Sequence, residues 1–119
     1  MECLLDTNFL MVPAQFKVDI FSELGEYELV TLDRCMTELE KISKGKGRDA
    51  AAAKIAMKMA KGRVRIARAE GRGTDTAIVN YAKKKKCAVA TNDQNLMKTL
   101  KKYGIKIIRL RQKKYLTER

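Results

Sequence analysis

The sequence contains no histidine among its 119 residues. Histidine is the commonest general base, so its absence excludes the Ser-His-Asp and Cys-His nucleophile systems and every metal site that uses imidazole. Cysteine is scarce too: Cys3, Cys35 and Cys87 form an odd, widely spaced set. This set argues against a disulfide framework and a zinc knuckle, and it favours three small core residues. An enzyme of this composition would depend on carboxylates and a hard metal ion.

Long apolar runs are also missing, since none approaches the ~18–20 residues that cross a bilayer. The N-terminus lacks a basic segment followed by an apolar one, so we expect no secretory signal and a cytoplasmic protein. No single helix combines a clean basic face with an aromatic-rich apolar face, which disfavours membrane binding.

Positive charge is what the sequence has in excess. Lysine and arginine number 26 against 14 acidic residues, giving a net charge of +12. Such an excess indicates a polyanionic partner, nucleic acid before an anionic membrane. Hydrophobic residues make up 45% of the chain, enough for one folded domain of this length.

Apolar patterns predict strands that alternate with helices. The predicted strands cover residues 2–5, 27–32, 63–67, 88–91 and 105–110. The predicted helices cover residues 16–24, 33–42, 49–61, 75–86 and 93–103, with Asp33 and Thr74 as N-caps. This alternation predicts an α/β fold, a central parallel sheet of about five strands with helices on both faces. Residues 111–119 are expected to be loose or packed on a partner.

Four acidic residues are predicted to meet at one end of this sheet, beyond the carboxyl ends of its strands. They are Asp6 after the first strand, Glu38 in the next helix, Asp75 at a helix start and Asp93 after the fourth strand. Singly, Asp75 and Asp93 are ordinary at helix starts and Glu38 is an ordinary solvated residue. Together they would repel one another, so the set predicts a bound divalent cation, Mg²⁺ or Mn²⁺.

Four stretches in this order resemble a PIN-domain nuclease. They are DTN at residues 6–8, MTELEKI at 36–42, the run from Asp75 to Ala82, and VATNDQNL at 89–96. The sequences of these stretches are most similar to those of the branch that processes ribosomal RNA, which includes small archaeal members. The resemblance implies a PIN-like nuclease domain over residues 1–111, with a basic C-terminal tail at 112–119.

The resemblance also implies a mechanism and a set of site residues. It implies metal-assisted hydrolysis of RNA phosphodiester bonds at one or two Mg²⁺ or Mn²⁺ ions, with Asp6, Glu38, Asp75 and Asp93 as catalytic metal ligands. Asn8 and Thr91 fall on supporting polar positions, Asn8 to fix the Asp6 carboxylate or a water. Asn95 stands where many relatives have a further acid, which argues against a tightly held second metal.

RNA that approaches acidic residues needs basic residues around them. The candidates for phosphate contacts are the loop residues Lys44, Lys46, Arg48 and Arg72 and the helix residues Lys98, Lys101 and Lys102. Such contacts give affinity without sequence choice and weaken with salt.

Two other functions stay open at this point. One is a toxin ribonuclease of a toxin–antitoxin pair, whose partner would be an antitoxin. The other is a non-catalytic RNA-binding module that partners pre-ribosomal RNA or a ribosome-assembly factor. A homodimer is also open, through apolar residues of 12–16 expected to be exposed or through the C-terminal tail.

Overall fold

A computed structural model describes residues 1–118 and confirms the predicted α/β architecture. Its strands are β1 Glu2–Leu5, β2 Glu28–Leu32, β3 Arg65–Ala67, β4 Ala88–Ala90, β5 Ile107–Arg111 and β6 Tyr115–Glu118. Its helices are α1 Thr7–Leu10, α2 Val12–Phe16, α3 Ile20–Glu23, α4 Asp33–Ser43, α5 Arg48–Ala60, α6 Thr74–Lys85 and α7 Gln94–Lys102. Helices α4 and α6 begin on the two predicted caps, so Leu32 and Gly73 take the cap positions.

The six strands form one sheet in the order β3-β2-β1-β4-β5-β6. Strands β1 to β5 are parallel, and β1 pairs with both β2 and β4. The chain builds β2 and β3 on one side of β1, then returns to build β4 and β5 on the other. The gap between the ends of β1 and β4 is therefore a topological switch point, where α/β proteins place their sites.

Helices cover both faces of the sheet, because successive strand residues point to opposite sides. Leu5 packs with Ile20 of α3 and Ala53 of α5 on one face. Leu4 packs with Ile78 of α6 and Leu100 of α7 on the other. Burial on both faces explains why the strands are short apolar runs.

The predicted helix over residues 16–24 is wrong. Lys17 adopts a left-handed φ of 56° and ends α2, and α3 starts afresh with the Asp19 Oδ1 accepting from the Ser22 N–H at 3.1 Å. The apolar spacing at Ile20 and Leu24 reflects burial of both side chains, not one continuous helix.

The C-terminal tail is not loose: β6 pairs antiparallel with β5 and adds a sixth strand. The apolar residues of α2, expected to be exposed and open to a dimer partner, are not an exposed apolar surface. Val12 is only 4% exposed and packs in the core with a half-buried Phe16. Across residues 1–118, the helices are too short and too polar for any of them to span a membrane.

Candidate active site

The carboxyl end of the sheet, where the five parallel strands finish, brings Asp6 and Asp93 together. Asp6 follows β1, and its N–H donates to the Ala90 carbonyl of β4 at 3.3 Å. Thr91 follows β4, and Asp93 caps α7 by accepting from the Leu96 N–H at 3.0 Å. Both carboxylates therefore lie at the switch point.

Thr91 joins these two acids directly. Its hydroxyl donates to Oδ2 of Asp6 and accepts from the Asp93 N–H at 3.1 Å. The Asp6 Oδ1 accepts from the Phe9 N–H at 2.7 Å, and the residue is 8% exposed. A carboxylate has about four lone-pair positions, so Asp6 is fixed in orientation and keeps free positions for a cation.

Glu38 accepts hydrogen bonds from the sequence neighbours of Asp6 and Asp75. Its Oε1 accepts from the Thr7 hydroxyl at 2.6 Å, and its Oε2 accepts from the Thr74 hydroxyl at 2.9 Å. Thr7 directly follows Asp6, and Thr74 directly precedes Asp75. Three threonine hydroxyls thus connect the segments that carry the four acids: two bond Glu38, and the third bonds Asp6 and the Asp93 backbone.

Electrostatics show that the acids interact. Burial raises the pKa of Asp6 to about 6, opposed by the hydrogen bonds from Thr91 and Phe9 and reinforced by the charges of Asp93 and Asp75. Burial, Asp93 and Glu38 raise the pKa of Asp75. Within residues 1–118 neither Asp6 nor Asp75 forms an ion pair with a basic side chain, so a cation bound beside them would stabilise their charged forms.

The donor set fits a hydrated divalent ion. Within residues 1–118, no three acidic or cysteine side chains converge closely enough to hold one ion directly. Mg²⁺ does not require that, because it keeps several waters and binds through one or two carboxylates. The all-oxygen donors also match its preference.

In the described part of the chain, two predicted supporting residues, Asn8 and Asn95, form no side-chain hydrogen bond with the acids. Asn8 is exposed on α1, and the hydrogen bonds that fix Asp6 come from Phe9 and Thr91 instead. Asn95 is exposed on α7, where its backbone carbonyl accepts from the Thr99 hydroxyl at 3.4 Å.

The predicted phosphate contacts are dispersed. Arg72 lies in a hollow of about 330 Å³ that Glu38 and Thr74 also line. Lys98 lies on α7 about one turn beyond its start. Lys101 and Lys102 end α7, roughly 13 Å along the helix from its first residue, near the amino end of the sheet.

The basic loop at residues 44–47 joins α4 to α5, and Arg48, predicted to lie in this loop, is the first residue of α5. The loop lies a whole α4 length, roughly 16 Å, from the end of β2. Lys44 pairs with Glu40 at 3.6 Å, while Lys46 and Arg48 are exposed. These side chains are remote from Asp6 and could contact only more distant phosphates.

Sequence reasoning missed the residues that hold the acids in place. Thr7 and Thr74 could have been suspected because each adjoins a candidate acid. Arg34 donates from Nη1 to the carbonyls of Gly71 at 2.6 Å and Gly73 at 3.2 Å, which fixes the segment before Asp75. Nothing local in the sequence indicates that contact.

Gly71 shows how closely that segment packs. Its φ is 157°, and a Cβ there would lie 2.6 Å from the backbone nitrogen of Ala77. Only glycine fits this approach to α6. The start of α6, and with it Asp75, is therefore positioned by backbone contact as well as by Arg34.

This fold is that of a PIN-like domain. Residues 3–113 match that family, and the chain belongs to it. The resemblance identified from the sequence is confirmed.

Individual relatives are ribonucleases. The chain is 33% identical to Ribonuclease VapC4 of Methanocaldococcus jannaschii, over 92% of this chain and 90% of that protein. It is 30% identical to Ribonuclease VapC9 of Archaeoglobus fulgidus, over 92% of this chain and 83% of that protein. The solved structure of the PIN domain endonuclease Utp24 matches with a TM-score of 0.81 at 30% identity, over 98% of this chain and 90% of that one.

Proposed function

We propose that this chain is an endoribonuclease that hydrolyses RNA phosphodiester bonds with Mg²⁺ or Mn²⁺ held at Asp6, Glu38, Asp75 and Asp93. One observation carries the proposal. In a chain of net charge +12, Asp6 and Asp93 lie at the switch point of a PIN-like fold, close enough to Asp75, and Asp75 to Glu38, for their charges to interact, and within residues 1–118 none of these acids forms an ion pair with a basic side chain.

The residues divide the work by their exposure. Asp6 is buried and fixed by two hydrogen bonds, so it provides an oriented anchor for an ion. Glu38, Asp75 and Asp93 are exposed, so they face the side from which RNA arrives. A bound divalent ion would neutralise charge on the phosphate oxygens and lower the pKa of a water. Arg72 is placed to bind a phosphate beside Glu38.

Ribosomal RNA processing is the role we favour. The motifs at residues 6–8, 36–42 and 89–96 are most similar to the processing branch of the family, and the likeness to Utp24 extends over 98% of the chain. The substrate would then be pre-ribosomal RNA, with a ribosome-assembly factor as a possible protein partner.

A toxin ribonuclease is the second candidate, because both curated relatives carry the VapC name. In that case the partner would be an antitoxin. Expression in a host cell separates the two roles: a toxin arrests growth and is rescued by a small protein encoded beside it, whereas a processing enzyme does neither and associates with pre-ribosomal RNA.

Cleavage of a pool of structured RNA tests the activity itself. We expect cleavage with Mg²⁺ or Mn²⁺, none with EDTA, and none with Asp93→Asn. Asp19→Asn is a matched control, because Asp19 also caps a helix, accepting from the Ser22 N–H at 3.1 Å, but lies outside the cluster. Asparagine caps helices as well as aspartate does, so both variants should fold.

The outcomes are distinct. Equal loss in both variants would trace the effect to helix capping and contradict the assignment of Asp93. RNA binding that survives EDTA, with no cleavage under any condition, would favour the non-catalytic binding module.

A further inference from the structure

The turn between β5 and β6 lies beside the acidic cluster. Strand β5 is parallel to β4, so it also ends at the carboxyl end of the sheet. Asn92 bonds both backbone groups of Leu110, donating to its carbonyl at 3.2 Å and accepting from its N–H at 2.8 Å. Asp93 and Arg111 each lie one residue beyond this clamp, so it ties the β5–β6 turn (residues 111–114) to a candidate metal ligand.

The β5–β6 turn is strongly basic. It reads Arg111-Gln112-Lys113-Lys114, and all four residues are exposed. Within the described residues 1–118, none of its three cations forms an ion pair with a carboxylate. These charges are therefore available to a ligand.

The conformation of the turn is unfavourable for its own residues. Gln112 and Lys113 both adopt left-handed φ values, 53° and 57°, and the Lys114 N–H closes the turn on the Arg111 carbonyl at 3.0 Å. Consecutive left-handed residues of this kind favour Asn and Gly, since other side chains with a Cβ are strained there. The stability of the turn therefore does not explain why Gln112 and Lys113 occupy these positions. Strained residues of this kind cluster at binding sites.

The turn also contacts the helices that follow the first acid. The Lys113 Nζ lies 5.8 Å from the centre of the Phe16 ring in α2. Helix α2 follows α1, which starts directly after Asp6. The turn therefore spans from the Asp93 side of the site to the α2 side.

From this placement we propose that the β5–β6 turn is a binding site for the RNA phosphate backbone, next to the cleaved bond. The inference rests on the proposed function, because it takes RNA as the substrate. The acids repel phosphates, and the cations of a turn that Asn92 ties to the Asp93 segment would offset that repulsion. Phosphate contacts fix the position of RNA without reading its sequence.

A variant whose residues favour the left-handed backbone of the turn should stay stably folded, so weaker RNA binding by it could not be attributed to unfolding. Gln112→Asn with Lys113→Gly installs the favoured turn residues, and Lys114→Gln removes a second charge. The control, Lys84→Gln with Lys85→Gln, also removes two charges, at the end of α6 away from Asp75. Binding of single-stranded oligouridylate is measured in EDTA at several salt concentrations, with thermal unfolding alongside.

We expect the turn variant to unfold at the same or a higher temperature and to bind roughly tenfold more weakly. Its slope of log affinity against log salt should fall by about 1.4, since each lost single-strand phosphate contact removes about 0.7. The control should bind within about twofold of wild type. Equal losses in both variants, or unchanged binding by the turn variant, would overturn the site.

The inference can fail separately from the proposed function. Binding in EDTA involves no cleavage, so a wild type that cleaves RNA with unchanged binding by the turn variant refutes only the turn. A wild type that never cleaves, but whose binding depends on the turn, refutes only the nuclease proposal.

Discussion

Strand β1 has a carboxylate at each end, and the two are in opposite electrostatic environments. Glu2 accepts from the Tyr81 hydroxyl at 2.6 Å and from Arg65, and these contacts lower its pKa. Asp6 accepts only from neutral donors, and its pKa is raised to about 6. The chain has 26 basic residues, yet among residues 1–118 none of them forms an ion pair with Asp6. This is the reason that we propose a bound cation at Asp6 and none at Glu2.

The same contrast holds for the two ends of the sheet. Basic side chains gather at the amino end, where α6 ends with three lysines and α7 with two. The carboxyl end holds the acids, connected by Thr7, Thr74 and Thr91. The threonine hydroxyls are neutral, so they orient carboxylates at the carboxyl end without neutralising their charge. At the amino end, by contrast, the charge of Glu2 is neutralised by Arg65.

The largest expected effect comes from neutralising the uncompensated acid. Asp6→Asn should lower cleavage by roughly a hundredfold or more, because it removes the anchoring ligand. The protein should stay folded, since the amide can accept from the Phe9 N–H, donate to the Thr91 hydroxyl and avoid burying a charge. Cleavage rates in Mn²⁺ and thermal unfolding in EDTA measure the two effects. Wild-type cleavage by this variant would refute Asp6 as a ligand.

The raised pKa of Asp6 predicts an unusual dependence of stability on pH. Between the ordinary value of 3.8 and about 6, the folded protein binds the proton more tightly than the unfolded chain. The free energy of unfolding contributed by this group therefore falls as pH rises through that window, by up to about 3 kcal/mol.

The difference between wild type and Asp6→Asn isolates this term, because the other groups cancel. Urea unfolding in EDTA across that window should show wild type losing stability relative to the variant as pH rises. A constant difference would mean that Asp6 is solvated in the metal-free protein.

The sequence predicts some elements of the fold and of the site better than others. The parallel sheet followed from alternating apolar patterns. Asp6, Asp75 and Asp93 were proposed from their positions after strands or at helix starts, and Glu38 from its place inside the helix that follows the second strand. Strand β6 was missed because residues 111–119 are polar, and their pairing with β5 is a tertiary contact. The break at Lys17 was missed because nothing local indicates its left-handed backbone.

The bonds that hold the acids were beyond sequence reasoning for a similar reason. Thr7 and Glu38 are 31 residues apart, and Thr74 and Glu38 are 36 apart. Proximity of Asp6 and Asp93 could be inferred from topology, but which hydroxyl reaches which carboxylate depends on side-chain geometry. Asn8 was chosen by analogy, whereas Thr7, one residue earlier, makes the contact.

A smaller effect is expected from loosening one side of the acidic cluster. Arg34→Gln removes the bonds to the carbonyls of Gly71 and Gly73, so Asp75 should be less well placed and cleavage should fall roughly tenfold. Arg34→Lys should restore part of the rate, because it keeps a donor and the charge. Arg68→Gln is the control, since Arg68 is 92% exposed and only weakly paired with Asp33 at 3.7 Å. Equal effects of the two substitutions would indicate loss of general charge rather than of position.

The smallest effect is expected at the compensated acid, and it should be the reverse of that at Asp6. Glu2→Gln removes the charge that Arg65 and Tyr81 stabilise, so it should lower the free energy of unfolding by about 1 kcal/mol. Because the pKa of Glu2 is lowered, this loss should be present above the ordinary value of 4.5 and disappear as pH falls through the lowered pKa.

Cleavage by Glu2→Gln should match wild type at temperatures where the variant is folded, which urea unfolding and a cleavage assay at the same temperature would establish. Removing the charge at either end of β1 would then have opposite consequences. Asp6→Asn would stay folded but lose cleavage, whereas Glu2→Gln would keep cleavage but lose stability. Reduced cleavage by fully folded Glu2→Gln would instead mean that the amino end of the sheet takes part in positioning the site, since the two carboxylates share one rigid strand.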